Sequence, residues 1–259
     1  MKKHRSVFEL MVRSNFYRIF LVLLIMVVLQ TGLFGLALKR GFDTAGYGLE
    51  YLFKKSYIEL VFFGMFIAMD ILLRTSIGYE SGGKPHYTMM RLSVTKKEVY
   101  YWHFVTNMLY YLLFFTVQIL TIVMLGMVYL KVAPAEYVTG QTLFLACYRY
   151  DLLHSLLPLG DLPYLIRNIL VLTAASLYSA CYPKENCAKE GDMEKQRNRN
   201  NRFNLFVFFP VMFVGGFGEY FYCNLLIILG AVYILWKISR IRKEELESRQ
   251  WEIIEKSEN

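Results

Sequence analysis

The run VYYWHFVTNMLYYLLFFTVQILTIVMLGMVYL fills residues 99–130 and carries no Asp, Glu, Lys or Arg over 32 positions. A helix needs about 20 mostly apolar residues to cross a bilayer. A buried helix of a soluble domain would alternate apolar and polar faces instead. The run therefore predicts a transmembrane helix over about 102–130, its excess length taken up by tilt or by extension into the cytoplasm. Tyr100, Tyr101 and Trp102 at its start read as an interfacial aromatic belt. Inside it, Thr106, Asn107, Thr116, Gln118 and Thr121 are the polar marks. Asn107 and Gln118 lie 11 residues apart and so fall on nearly one helical face. Such a face suits a packed helix interface, and the sharper alternative makes both residues part of a translocation path.

Outward from this run the same reading repeats. Uncharged or nearly uncharged segments at about 19–38, 57–73, 163–182, 203–218 and 220–236 bring the expected total to six spans. The chain is 56% hydrophobic and 19% charged, against about 45–50% and 25% for a soluble domain. The fold class expected is all-α: a polytopic membrane helix bundle over 19–236, with a cytoplasmic segment 1–18 before it and a cytoplasmic tail 237–259 after it. The second span is the weakest, because Glu59 and Asp70 sit near its ends, and Asp70 precedes Arg74 by four residues, the favourable order for a helical ion pair. Arg167 lies near the outer end of the fourth span, where its stem can snorkel.

The charges set the orientation. With both termini in the cytoplasm, 22 of the 29 Lys and Arg fall inside, as the positive-inside rule requires. The net charge of +8 is explained by those loops and implies no nucleic-acid partner. Residues 6–18 read as a short amphipathic helix on the inner surface, with Val7, Phe8, Leu10, Met11 and Phe16 towards lipid. The first apolar run is too long for a secretory h-region, so it is expected to stay as an anchor. Cys147, Cys181, Cys187 and Cys223 form no CxxC pair, and neither a disulfide framework nor a zinc site is expected.

The long outer interval 131–163 contains an interrupted amphipathic stretch bearing Arg149, Asp151 and His154. It predicts a helix in the outer interface or a re-entrant segment packed on the bundle. Asp151 and His154 share a face, but two ligands do not make a metal site; a surface polar face is expected, with a pH-sensitive pair as the alternative.

The cytoplasmic interval 74–97 contains Gly78-Tyr79-Glu80-Ser81-Gly82-Gly83-Lys84, which satisfies GxxxxGK. A phosphate loop needs Ser or Thr next and a buried strand before. Pro85 follows instead and a membrane span precedes, so the glycines read as a turn. No other nucleotide fingerprint, no GxSxG and no HExxH is present, and neither a cofactor nor enzymatic activity is expected. Further on, Thr95 with Glu98 three residues later forms a capping box, which predicts a helix starting at Thr95 and running into the membrane.

The phrase Arg91-Leu92-Ser93-Val94-Thr95-Lys96-Lys97-Glu98-Val99, set between the second and third of six spans, resembles the corresponding segment of bacterial ABC-2 type transporter permeases. That resemblance implies a multi-pass cell-membrane protein, the permease subunit of an ATP-driven exporter. It implies a separate ABC ATPase subunit that hydrolyses ATP, and a second permease copy or sister permease completing the pathway. It also implies that Arg91, Lys96, Lys97 and Glu98, with Glu80, lie at or near the ATPase contact. The chain departs from many such exporters in placing its long outer segment between the third and fourth spans. A non-transporting scaffold or immunity subunit is the alternative from another class, and a secondary transporter lacks the midplane charges it would need.

Overall fold

The computed structural model describes residues 2–42, 48–78, 96–135, 138–157, 160–186, 228–233, 235–236 and 239. Seven helices, α1 Lys2–Phe42, α2 Leu49–Lys55, α3 Ile58–Gly78, α4 Lys96–Val132, α5 Thr142–Arg149, α6 Asp151–Leu156 and α7 Leu162–Asn186, are followed by a helical piece at 228–233. Four of them are long. α1 packs on α3 and α4, and α7 packs on the same two helices from the other side.

Two stretches, Asn15–Arg40 and Tyr100–Val132, are long and apolar enough to cross a bilayer, and Leu49–Lys55 with Ile58–Leu73 forms a third as a pair bent by 49°. The chain is thus an all-helical membrane protein with two or three such spans among its described residues. α7 covers the expected fourth span, but Arg167, Asn168, Thr173, Ser176 and Ser179 dilute its apolarity and it does not join that set. The expected fifth span, and the first part of the sixth, lie outside the described residues. From the sixth, Ala231 is fully buried and belongs to the bundle's hydrophobic core.

A bilayer reverses the usual logic of helix faces. α1 buries Met11, Asn15, Ile19, Leu23, Met26, Gln30 and Phe34 at three- and four-residue spacing, while Leu21, Leu24, Val28 and Leu29 are exposed. Its two faces are almost equally apolar, and the buried one holds the amides, as expected when lipid rather than water surrounds the helix.

The N-terminal segment differs from expectation. It is continuous with the first span in one helix of 41 residues. Met11, expected to face lipid, is 3% exposed, and the Val12 carbonyl accepts a hydrogen bond from Tyr110 at 2.8 Å. Phe8 packs on Trp102 with ring centroids 5.7 Å apart. Residues 6–18 are held because α4 begins early enough to offer them an aromatic surface.

Between α3 and α4 the centre is aromatic. Phe62 meets Phe114 at 5.4 Å, and Phe66 meets Tyr111 at 5.6 Å and Phe114 at 5.8 Å. Phe62 and Phe66 are one turn apart on α3, so a single face supplies both rings.

The bend between α2 and α3 has a local cause. Tyr57 has φ +53°, a left-handed conformation uncommon for any residue but glycine. The Ser56 N–H donates to the Leu52 carbonyl at 2.9 Å and closes α2, and the Val61 N–H donates to the Tyr57 carbonyl at 3.2 Å and opens α3. The boundary expected at 57 is therefore a kink: α2 ends there and α3 leaves in a new direction.

α2, α5 and α6 form a cap where α1 and α4 end and α3 and α7 begin. Phe53 of α2 meets Phe34 at 5.5 Å and Tyr150 at 5.2 Å. Gly126 of α4 lets α5 close down: a Cβ built there would lie 2.8 Å from Leu143 Cδ1. Because that atom is the free end of a flexible side chain, Gly126→Ala should be nearly neutral, helped by roughly 1 kcal/mol of helix propensity. Gly126→Leu should pry α5 off α4 and cost about 1–3 kcal/mol, read as a lowered melting temperature and new proteolytic cleavage within 138–150.

Candidate functional site

In an apolar bundle the polar side chains are the informative ones. Most hydroxyls along the spans are satisfied locally: Thr106 donates to the Trp102 carbonyl, Thr116 to Leu112 and Thr121 to Val117, each at 2.8 Å. This back-bonding onto the same helix spares the hydroxyl an unsatisfied position in lipid. Among the described residues three side-chain-to-side-chain hydrogen bonds instead cross between long helices, and all three use α4.

The two path candidates supply two of them. Gln118 is fully buried, and its Oε1 accepts a bond from Gln30 Nε2 of α1 at 2.8 Å. Asn107 is fully buried, and its Nδ2 donates to Ser179 Oγ of α7 at 2.8 Å. Although they share a face of α4, they meet different neighbours, because α1 and α7 flank that face at different heights. The third contact runs from the Tyr111 hydroxyl of α4 to Asp70 Oδ1 of α3 at 2.8 Å. Asp70 is 6% exposed, so this bond meets a carboxyl oxygen inside the bundle. The side chain of Arg74, its expected ion-pair partner, lies outside those described.

Of the proposed coupling residues, Lys96, Lys97 and Glu98 form the first turn of α4; their side chains, and all of Glu80 and Arg91, lie outside the described residues. The first described residue of the helix is Lys96; Thr95, where the capping box puts its start, lies outside the described residues. From Lys96 it runs unbroken for 37 residues to Val132.

The segment expected outside folds onto the bundle as two short helices, α5 and α6. Arg149 pairs with Glu50 at 3.6 Å and Asp151 with Lys54 at 3.2 Å, joining the segment to α2. His154 faces elsewhere: its Nε2 is 3.3 Å from Asp161, and its ring lies between Tyr148 at 5.2 Å and Tyr164 at 5.6 Å. Asp151 and His154 are thus engaged with different partners, and no metal-binding cluster occurs among the described residues. Tyr150, between α5 and α6, is fully buried; burial, then the nearby Glu59 and Asp151 carboxylates, push its phenol well above the ordinary value.

Arg167 corrects the snorkelling expectation. It is fully buried. Its guanidinium donates to the Ser155 carbonyl at 3.2 Å and to Asn168 Oδ1 at 3.2 and 3.3 Å. It also lies 4.8 Å from the centroid of the Tyr164 ring. Asn168 Nδ2 donates to the same Ser155 carbonyl at 2.7 Å. α6 stands close enough to give the arginine a carbonyl acceptor, so the side chain folds inward. The sequence reading also missed the partners Gln30, Tyr111 and Ser179; Gln30 carried a signal, as an amide inside the uncharged first span.

Comparison with known proteins yields no match: no family model, no curated protein and no solved structure is similar to this chain.

Proposed function

We propose that this chain is the membrane-spanning permease subunit of an ATP-driven exporter, with six spans and both termini in the cytoplasm. A separate ATPase grips it through residues 74–101, and a second permease copy or a sister permease completes the pathway. The observation that carries the reading is α4. Its first turn is Lys96-Lys97-Glu98, the end of the permease-like phrase, and the helix continues without a break past Gln118. At 1.5 Å per residue it is about 55 Å long, well beyond the ~30 Å of hydrocarbon it has to cross. A push on its first turn has no hinge in which to dissipate before it reaches the contacts with α1, α3 and α7. Substrate movement would then follow from rocking of packed helices, with the chemical energy released on the partner.

Affinity isolation of the full-length chain from native membranes tests this. A P-loop ATPase should copurify in mild detergent, and Lys96→Glu/Lys97→Glu should reduce its recovery about tenfold or more through like-charge repulsion at the contact. Absence of any such ATPase, or full recovery by the charge-reversed variant, would rule the reading out.

A second reading, a non-transporting scaffold or immunity subunit, is favoured by one observation. The bridging polar groups of the described spans bond to one another, in the pairs Gln30–Gln118, Asp70–Tyr111 and Asn107–Ser179. Copurification with a membrane partner that carries no ATPase would select it.

A further inference from the structure

Besides the Tyr150 hydroxyl in the cap, the described interior holds two kinds of unpaired polar atom. The first kind is at the Gln30–Gln118 pair, where Gln30 Oε1 and Gln118 Nε2 lack partners among the described residues. One is an acceptor and the other a donor, so a small rotation of the amides closes a second bond between them and satisfies both.

The second kind cannot satisfy itself. His103 Nε2 and Asn107 Oδ1 are without partners among the described residues. They sit four residues apart on α4 and therefore on one face, and the side chains are 3% and 0% exposed. The imidazole lies near the Ala180 backbone on α7; a neutral ring carries one N–H and one lone pair, and with the N–H on the other nitrogen Nε2 is an acceptor. Asn107 directs its Nδ2 to Ser179 Oγ, and the Ser179 hydroxyl passes its proton on to the Ser176 carbonyl at 3.1 Å. Two acceptors remain, four residues apart on α4. Turning the Asn107 amide over closes no direct bond between them, because its two ends occupy nearly the same positions and neither partners Nε2 now.

A guest with two donors and little volume fits such a pair. We propose that His103 and Asn107 hold a buried water molecule between α4 and α7, one O–H directed to Nε2 and the other to Oδ1. Polar cavities with two to four partners hold water, whereas apolar ones of similar size stay dry. A metal ion fits poorly, since no cluster of acidic, histidine or cysteine ligands surrounds the pair among the described residues. The site stands independently of the exporter reading. The water joins two residues of α4 beside the direct Asn107–Ser179 hydrogen bond to α7.

The chain has four histidines, so histidine labelled with nitrogen-15 resolves four imidazoles, and His103→Phe assigns the one concerned. The experiment is water-edited solid-state NMR of the full-length protein in lipid bilayers. The His103 Nε2 signal should receive magnetisation from water, and Asn107→Leu should weaken that transfer several-fold with the other three imidazoles unchanged. Two results would overturn the proposal: a His103 signal with no transfer from water, or a transfer undiminished in Asn107→Leu, which would mean bulk water reaching the ring without a held site. Should the leucine variant fail to fold, Asn107→Ala takes its place, read by the same two results.

Discussion

Arg167→Ala should loosen the cap from the bundle and lower stability by about 2–5 kcal/mol, the range for truncating a large buried side chain. The side chain is fully buried and joins α7 to α6 through the Ser155 carbonyl. Asn168 also donates to that carbonyl, so the acceptor is not left bare, and the loss comes mainly from the cavity and the vacated Tyr164 face. Arg167→Lys should recover less than half of it. An ammonium cannot present a planar fork to Ser155 and Asn168 while lying flat over a ring. Arg167→Met fills the volume without charge and should stand near the native protein, because a desolvated cation contributes little net stability. Thermal unfolding in detergent, with limited proteolysis of 138–157, orders the three variants. An alanine variant that melts with the native protein would mean that the arginine does not hold the cap.

Tyr111→Phe should cost about 1–3 kcal/mol, because it withdraws a hydroxyl from a carboxyl inside the bundle. The bond is 2.8 Å long and Asp70 is 6% exposed, so water does not readily replace the lost donor. Asp70→Leu should also destabilise, by leaving the phenol without that acceptor. The combined variant Asp70→Leu/Tyr111→Phe should lose less than the sum of the two, the mark of a direct interaction. Additive losses in the double-mutant cycle would show that the residues act separately.

These variants fall where sequence reading was least informative. The apolar runs at 19–38 and 99–130 announce helices because nothing but a helix satisfies its own backbone in lipid. The boundary at 57 was visible for a local reason, the edge of an apolar run. Asn107 and Gln118 were visible as isolated amides in an uncharged run. Their partners were not, since Ser179 and Gln30 are assigned only when helices pack. Met11 and Arg167 were misjudged together: with lipid as the solvent, burial no longer follows hydrophobicity. An apolar Met turns inward and a cation finds a carbonyl inside. For His154, sharing a helical face with Asp151 said nothing about Asp161, which the turn before α7 brings beside it.

The bridging role of α4 also bears on how the chain is made. Helices emerge from the ribosome in order, so α1 and α3 reach the membrane before the residues that bond to them. Until α4 follows, Gln30 has no Gln118 and Asp70 has no Tyr111; until α7 follows, Asn107 has no Ser179. The first hairpin therefore enters the bilayer with the Gln30 amide lacking the partner it has in the folded bundle, and it is committed to its final packing only once the third long helix is released. A nascent chain halted before residue 96 should remain associated with the insertion machinery, and one extended past Val132 should leave it.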